Sequence, residues 1–212
     1  MIVHAKAVVF DLDGTLVDSL ADICTHLNAA LVDHGQPTCA RIAEWIGHGA
    51  EYLVARSVAT PDLVAPVLAT FRARYRAQPI IETKLFPGFD ALLDAIADRK
   101  LGVLSNKPQV LTTAIADVLL ARWRFGSVIG HSPDRPMKPD PEALRFVTRQ
   151  LDVDIAECAL VGDSEVDIET ARAAGAISIG VTWGLRPRDV VVSANPHYIV
   201  DTTRELAALF GV

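Results

Sequence analysis

Two aspartates follow an apolar stretch near the start of the chain. Asp11 and Asp13 lie in the pentapeptide Asp-Leu-Asp-Gly-Thr, directly after residues 7–10. Side chains alternate along extended backbone, so a spacing of two residues returns both carboxylates to one side. One carboxylate of such a pair can act as a nucleophile, while its neighbour serves as acid to a leaving alcohol and then as base to water. Gly14 permits the turn that follows, and a plain Asx turn is the structural alternative for this segment.

A second acidic cluster follows another apolar run, residues 159–161. It contains Asp163 and Ser164 and, one helical turn later, Asp167. Asp163 or Ser164 could instead cap a helix that begins just after them. Capping and metal binding can coexist in one segment.

These two acidic clusters together predict a magnesium site. Mg²⁺ prefers oxygen ligands and is commonly held by one or two protein carboxylates together with phosphate and water. We expect Asp11 and Asp163 to be the main pair. The Asp13 main-chain carbonyl is the expected third ligand, and Asp167 is expected in or near the coordination sphere.

Two further segments offer hydrogen-bond donors and positive charge. Ser105, Asn106 and Lys107 follow the apolar residues 101–104, where a hydroxyl and main-chain N–H groups can bind phosphoryl oxygens. Lys138 stands before a predicted helix. Each segment alone also fits a turn or a solvated surface lysine. Combined with the two acidic clusters they supply what phosphoryl transfer needs, namely a nucleophile, a metal and cations that offset charge on the transferring oxygens.

Elements that can position these residues are visible as alternating apolar patterns. Short continuous runs predict strands buried on both faces of a sheet, at residues 7–10, 101–104, 159–161 and 177–181. Helical spacing follows Pro87-Gly88 and Pro141, at Phe89, Leu92, Leu93 and Ile96 and at Leu144, Val147 and Leu151. The alternation predicts an α/β fold with a Rossmann-like, doubly wound parallel sheet.

One long stretch interrupts the alternation. Residues 19–83 contain helical patterns and no convincing strand, and they are too many for a simple crossover. We predict a helical cap at 19–83 inserted into a catalytic core at 1–18 and 84–212. Residues 35–37 and 47–49 are predicted turns between cap helices, and Pro66 is predicted to start or kink the last one.

Composition limits the class of protein and its partners. The chain has 212 residues, of which 50% are hydrophobic and 22% charged, which is the balance of a folded globular protein. A net charge of -6 and no basic stripe argue against nucleic acid as a partner. No segment has the pattern of a signal peptide or a membrane span, and three scattered cysteines fit neither a disulfide framework nor a zinc site. We expect a cytoplasmic protein without a membrane partner, and the oligomeric state stays open.

The motifs, in their order, resemble those of the haloacid dehalogenase superfamily. That family has Asp-x-Asp-Gly-Thr, then a Ser or Thr, then a Lys, then Gly-Asp-x-x-x-Asp. The resemblance implies a Rossmann-like core with a helical cap between the first two motifs. It also implies Asp11 as nucleophile, Asp13 as acid and base, Lys138 as the charge-balancing lysine, and Asp163 with Asp167 as metal-site acids. Ser105 and Asn106 are implied as phosphoryl binders, and we expect Thr15 and Lys107 beside them.

Within the superfamily the chain is most similar to phosphoglycolate phosphatases. The similar segments are Asp-Leu-Asp-Gly-Thr-Leu-Val-Asp-Ser at 11–19, Trp-Ile-Gly-His-Gly-Ala at 45–50, Ser-Asn-Lys-Pro at 105–108, Lys-Pro-Asp-Pro at 138–141 and Val-Gly-Asp-Ser at 161–164. This similarity implies a Mg²⁺-dependent hydrolase acting on a small phosphorylated metabolite through an aspartyl-phosphate.

Other activities are also known on the core that this chain resembles. Asp13 counts against a dehalogenase, and the absence of lysine from residues 19–83 counts against a Schiff-base phosphonatase. A phosphoglucomutase-like, pyrophosphatase or nucleotidase activity stays open, as does a non-catalytic binding protein.

We expect the cap loop at 47–49 to recognise the substrate. His48 and the nearby Arg41 offer donors that could meet an anionic group at the far end of a substrate, such as a carboxylate. In the alternative reading the two glycines only end and start cap helices, and both side chains are solvated.

Overall fold

A computed structural model describes residues 2–212. The strands are β1 (Ala7–Phe10), β2 (Val17–Asp18), β3 (Lys84–Leu85), β4 (Lys100–Pro108), β5 (Phe125–His131), β6 (Cys158–Gly162), β7 (Ile177–Val181) and β8 (Tyr198–Val200). The helices are α1 (Leu20–Asp33), α2 (Ala50–Ser57), α3 (Val64–Ala77), α4 (Phe89–Ala95), α5 (Gln109–Leu119), α6 (Pro141–Leu151), α7 (Glu165–Ala174), α8 (Arg188–Ser193) and α9 (Thr203–Phe210). Short 3₁₀ turns lie at Ile42–Trp45, Pro61–Leu63 and Ile155–Glu157. None of the helices among residues 2–212 is both long and apolar enough to cross a membrane.

Six of the strands form one parallel sheet in the order β5-β4-β1-β6-β7-β8. The chain builds outward from β1 to one side through β4 and β5, and then crosses to the other side for β6 to β8. This confirms the predicted Rossmann-like, doubly wound sheet. The order reverses at β1, and ligands of such sheets bind outside the carboxyl ends of the strands at that point.

The central strand β1 is buried on both faces. Val8 and Phe10 face one apolar cluster, which also takes in α4, α5 and α9, while Ala7 and Val9 face a second cluster with α6 and α7. All four side chains have no exposed surface. Helices on both faces therefore explain why this strand is a continuous apolar run rather than an alternating one.

The predicted set of strands was incomplete. β4 does not end at Leu104 but continues to Pro108, with an irregular register, because β5 pairs with it as far as His131. The strand β5 itself was not predicted, since its apolar run is interrupted by Gly126 and Gly130. A Cβ at Gly126 would lie 2.8 Å from the Leu151 side chain, so this glycine permits close packing of α6. The three-residue strand β8 was too short to stand out in the sequence.

A separate helical unit lies between β2 and β3. Its helices α1, α2 and α3 enclose their own apolar cluster, which the core joins through Leu111 and Leu185. Pro66 lies in the first turn of α3, where its missing N–H removes no helical hydrogen bond. Gly47 and Gly49 adopt φ angles of 103° and 91° between the 3₁₀ turn and α2. We keep 19–83 as the proposed extent of this cap.

The two chain segments that join cap to core are tied together. β2 and β3 form a short antiparallel pair. Beside it, the buried carboxylate of Asp22 at the start of α1 accepts hydrogen bonds from the main-chain N–H groups of Ile81, Glu82 and Thr83 and from the Thr83 hydroxyl. Burial opposes ionisation of Asp22, but these donors outweigh it and lower the pKa of the carboxyl.

We expect Asp22→Asn to destabilise the protein by about 2 kcal/mol at pH 7, because an amide NH₂ would then face N–H donors that have lost an acceptor. The folded-state pKa lies below the unfolded value, so the carboxylate contributes stability above the unfolded pKa and loses it as the pH falls through the folded one. The difference in the free energy of unfolding between variant and wild type should therefore narrow as the pH is lowered from 7 towards 3. Urea denaturation at each pH measures this free energy.

The matched control is Asp62→Asn, which alters an exposed cap aspartate and should change stability by less than about 0.5 kcal/mol. An Asp22→Asn protein as stable as wild type at pH 7, or a difference that grows on acidification, would contradict the assignment.

Candidate active site

The carboxyl ends of four neighbouring strands bring the predicted clusters together. Asp11 follows β1, Ser105 lies within β4, Lys138 lies between β5 and α6, and Asp163 follows β6. The parallel order of these strands places all four groups at one edge of the sheet. Each of the four side chains is at most 5% exposed.

Three carboxylates form the centre of the site. Asp11, Asp163 and Asp167 are buried and offer oxygen atoms that all lie within 4.8 Å of one another. The Lys138 Nζ lies 2.8 Å from Asp11 Oδ1 and 2.6 Å from Asp167 Oδ1. Lys138 is therefore not a solvated surface lysine, because it bridges two of the three acids.

The electrostatics of this cluster are unbalanced in favour of negative charge. Burial raises the pKa of Asp11, with the Lys138 ammonium opposing the rise and the carboxylates of Asp167 and Asp163 adding to it. Burial, helped by Asp167, raises the pKa of Asp163 to about 6. The neighbouring acids keep Lys138 protonated and raise its pKa despite burial. One ammonium does not neutralise three carboxylates.

Hard oxygen donors and excess negative charge in a buried cluster fit a divalent cation such as Mg²⁺. Asp11, Asp163 and Asp167 are the residues that could hold it. The Asp13 main-chain carbonyl, expected as the third ligand, stays a prediction.

Asp163 is fixed by close contacts with the backbone. Its Oδ2 accepts the Leu185 N–H at 2.7 Å, and its Oδ1 accepts the Thr15 hydroxyl at 3.1 Å. Gly14 has a φ of 83°, and a Cβ there would lie 2.5 Å from Asp163 Oδ2. Thr15, predicted to bind substrate, is fully buried and does not line the cavity described below, so its contact is with Asp163.

Asp167 takes part in a helix cap and also pairs with Lys138. Its Oδ2 accepts hydrogen bonds from the Ser164 main-chain N–H and hydroxyl, which forms a capping box at the start of α7. Its Oδ1 pairs with Lys138. The helix cap therefore orients the carboxylate that holds the lysine.

Asp13 is held by a different set of groups. Its Oδ1 accepts from the Ser19 hydroxyl at 2.6 Å and from Lys107 Nζ at 3.0 Å. Lys107 Nζ also donates to the Tyr75 hydroxyl of the cap at 2.8 Å. Lys107, predicted to bind substrate, is thus paired with the predicted acid and base.

Asn106 links three parts of the site. Its amide nitrogen donates to the main-chain oxygens of Gly47 and Lys138, both at 2.8 Å, and its Oδ1 accepts the Lys138 N–H. The predicted phosphoryl binder is therefore engaged with the cap loop and with the backbone that presents Lys138. Ser105 Oγ accepts only the Lys107 N–H, at 3.3 Å, among residues 2–212.

A cavity of about 50 Å³ separates the core carboxylates from the cap. On the core side it is lined by Asp11, Asp13, Ser105, Asn106 and Lys107, and on the cap side by residues that include Phe71, Arg72 and Tyr75. The loop glycines Gly47 and Gly49 also line it. The cavity therefore lies between the predicted reacting groups and the cap.

The two side chains predicted to recognise the substrate lie outside this cavity. Arg41 is exposed and forms an ion pair with Glu44 at 2.6 Å. His48 lies 3.4 Å from Glu165 Oε1 and packs on Tyr52, with ring centroids 4.9 Å apart. The structure therefore brings neither side chain to the carboxylates, although it does place the loop's glycines there.

Sequence reasoning missed three residues of this region. Arg186 donates to the main-chain oxygens of Ala43 and Ile46 and so joins the core to the cap loop. Tyr75 and Arg72 line the cavity from α3. Tyr75 shares the helical apolar pattern with Phe71, so its position on the inner face of α3 was the one available signal.

The comparisons with known proteins agree with this geometry. The sequence profile of the haloacid dehalogenase-like hydrolases matches residues 5–175. A phosphoglycolate phosphatase of Cupriavidus necator is 37% identical, covering 96% of this chain and 92% of that protein. One from Rhodospirillum rubrum is 34% identical, covering 97% and 91%. A crystal structure from Lactobacillus delbrueckii subsp. bulgaricus, provisionally assigned the same activity, has a TM-score of 0.92 at 29% identity and covers 99% of this chain and all of that one.

Three findings agree on the family of this chain. They are a profile match over most of the chain, relatives above 30% identity over nearly its full length, and a buried acidic site where the strand order of the sheet reverses. The chain belongs to the haloacid dehalogenase-like hydrolases, and it is a phosphatase.

Proposed function

We propose that this phosphatase hydrolyses phosphoglycolate, or an equally small phosphate monoester, through an aspartyl-phosphate on Asp11 in a Mg²⁺-dependent reaction. The observation that carries the proposal is the buried cluster of Asp11, Asp163 and Asp167 with Lys138, of which Asp11 also lines a small cavity. The names of the relatives from Cupriavidus necator and Rhodospirillum rubrum support the substrate.

Asp11 is the group suited to attack phosphorus. Its Oδ1 accepts hydrogen bonds from the Leu12 N–H at 2.7 Å and from Lys138. Residues 2–212 place no donor on Oδ2, and Asp11 lines the cavity. In the first step a carboxylate oxygen forms a bond to phosphorus while the bond from phosphorus to the ester oxygen breaks. The leaving oxygen takes a proton from protonated Asp13.

The second step returns the enzyme to its starting state. Asp13 accepts a proton from water, the water oxygen bonds to phosphorus, and the bond from phosphorus to Asp11 breaks to release phosphate. Asp13 is a carboxylate at this point because it has given its proton to the leaving oxygen, and Lys107 Nζ lies 3.0 Å from its Oδ1. Lys138 and the Ser105 hydroxyl would offset charge on the transferring oxygens. A bound Mg²⁺ would supply Lewis-acid stabilisation of the same oxygens.

Asp11→Asn keeps the side-chain shape and removes the nucleophilic oxygen. We expect kcat for p-nitrophenyl phosphate and for phosphoglycolate to fall at least about 1,000-fold. The matched control, Asp98→Asn, changes an exposed aspartate far from the cluster and should keep wild-type kcat. An Asp11→Asn protein, purified free of other phosphatases, that retains a tenth of wild-type kcat would show that Asp11 is not the nucleophile.

Removal of the metal provides the second test. We expect EDTA to abolish activity and Mg²⁺ to restore it, whereas Ca²⁺, which tolerates higher coordination numbers, should bind but support little turnover. Since a cation that binds only the folded state stabilises it by about 2.7 kcal/mol at 100 times its Kd, Mg²⁺ should also raise the Tm of the wild type.

Asp163→Asn should lose this Tm increase, because it removes a charge from the predicted ligand set, and Asp98→Asn should keep it. Full activity in EDTA, or an equal Tm increase in Asp163→Asn, would contradict the metal assignment.

A further inference from the structure

We infer that Arg72 binds the anionic group at the non-reacting end of the substrate and thereby selects phosphate esters that carry a carboxylate. The inference rests on the proposed function, since it concerns the same cavity. Arg72 lies on α3 of the cap and lines the cavity that contains Asp11 and Asp13.

The charges around the cavity single out Arg72. The charged side chains that line it are Asp11, Asp13, Lys107 and Arg72. Lys107 is already paired with Asp13 and with the Tyr75 hydroxyl. Within residues 2–212, Arg72 forms no ion pair and no side-chain hydrogen bond. It is therefore the cation of this cavity that has no internal anion to neutralise it.

Much of the remaining cap wall is apolar. Ile23, Leu53 and Phe71 line it from the cap, and Leu111 lines it from α5. Placing a carboxylate against apolar side chains is costly unless a cation and hydrogen-bond donors meet it. A guanidinium presents paired donors that match a carboxylate in a bidentate geometry. A substrate whose phosphoryl group lies at Asp11 thus finds its partner for a second negative charge at Arg72.

The neighbouring arginines either form ion pairs or do not line the cavity. Arg74, two residues along α3, pairs with Asp33, and Arg41 pairs with Glu44. Arg76, one turn beyond Arg72, lines an adjoining outer pocket that Arg72 also borders, but not the cavity with the carboxylates. Arg76 is exposed, like Arg72, and so provides a control of the same residue type on the same helix.

Turnover of paired substrates tests the assignment. kcat/KM is measured for wild type, Arg72→Ala, Arg72→Lys and Arg76→Ala on 2-phosphoglycolate and on 2-hydroxyethyl phosphate, which has a hydroxymethyl group in place of the carboxylate. Arg72→Ala should lower the ratio of the two values at least about tenfold, equivalent to about 1.4 kcal/mol. Arg72→Lys, which keeps charge but loses the paired donors, should fall between wild type and Arg72→Ala. Arg76→Ala should keep the wild-type ratio.

A binding measurement gives a readout that does not depend on turnover of the carboxylated ester. 3-Phosphonopropionate has the shape of 2-phosphoglycolate with a CH₂ in place of the bridging oxygen, and propylphosphonate lacks its carboxylate. In wild type and Arg76→Ala, 3-phosphonopropionate should inhibit p-nitrophenyl phosphate hydrolysis with a lower inhibition constant than propylphosphonate. In Arg72→Ala the ratio of the two inhibition constants should shrink at least about tenfold.

The outcomes separate this inference from the proposed function. A wild type that prefers 2-phosphoglycolate, with Arg72→Ala keeping the same substrate and inhibitor ratios, would overturn the role of Arg72 and leave the proposed function standing. A wild type that cleaves p-nitrophenyl phosphate in Mg²⁺ but shows no preference for the carboxylated ester or inhibitor would overturn both the proposed substrate and Arg72 as its reader. Loss of the ratio in both Arg72→Ala and Arg76→Ala would assign the effect to the charge of α3 in general, which also contradicts the inference.

Discussion

The burial of three carboxylates within 4.8 Å of one another is the constraint on which the rest of the site depends. Charged groups removed from water require partners, and a single ammonium, Lys138, lies between two of these acids. The glycines around the cluster follow from the same crowding. A Cβ at Gly162 would lie 2.2 Å from the Asp167 side chain, and one at Gly184 would lie 2.3 Å from Asp163. Bulk near the acids is therefore excluded, and the charge left over is available for a cation and a phosphoryl group.

The position of the cap is tied to this cluster through Lys138. Asn106 holds the Lys138 backbone from both sides and donates to Gly47 of the cap loop with the same amide group. Lys107 links Asp13 to Tyr75, so the second carboxylate of the first motif also has a connection to the cap. Arg186 adds a third connection through the oxygens of Ala43 and Ile46. The cap is thus held in place by the groups that position the reacting carboxylates.

The sequence predicted the core well because its signals are local. An apolar run followed by Asp11 or by Asp163 identifies a buried parallel strand with an acid at its carboxyl end, and both strands were found where expected. Partners that come together only in three dimensions were harder to foresee. Lys138 is 3% exposed because β1 and α7 bring acids to it, and nothing in its own neighbourhood indicates that. β5 was missed for a similar reason, since its glycines are explained by the packing of α6 and α5 against it.

The residues predicted to recognise the substrate were chosen because they lie close to the cap loop in the sequence, and this prediction did not identify side chains that line the cavity. His48 lies in the loop that resembles phosphoglycolate phosphatases and Arg41 precedes it, yet their charged partners are Glu165 and Glu44. Arg72 lies in a polar stretch of α3 beside two further arginines, and its sequence context does not distinguish it from them. The distinction arises from helix geometry and from partners such as Asp33, which neutralises Arg74.

The cap loop acts on the site through its backbone rather than through its side chains. Main-chain oxygens of Ala43, Ile46 and Gly47 accept the hydrogen bonds from the core. Gly49, with a φ of 91°, passes close to Met137, where a Cβ would lie 2.9 Å from the methionine methyl group. What this loop requires is therefore backbone conformation and small residues, so position 48 can vary without disturbing these contacts. If the loop fixes the distance between cap and core by main-chain contacts, discrimination among phosphate esters falls to side chains that line the cavity from the cap helices. Of those, α3 contributes the aromatic and cationic groups.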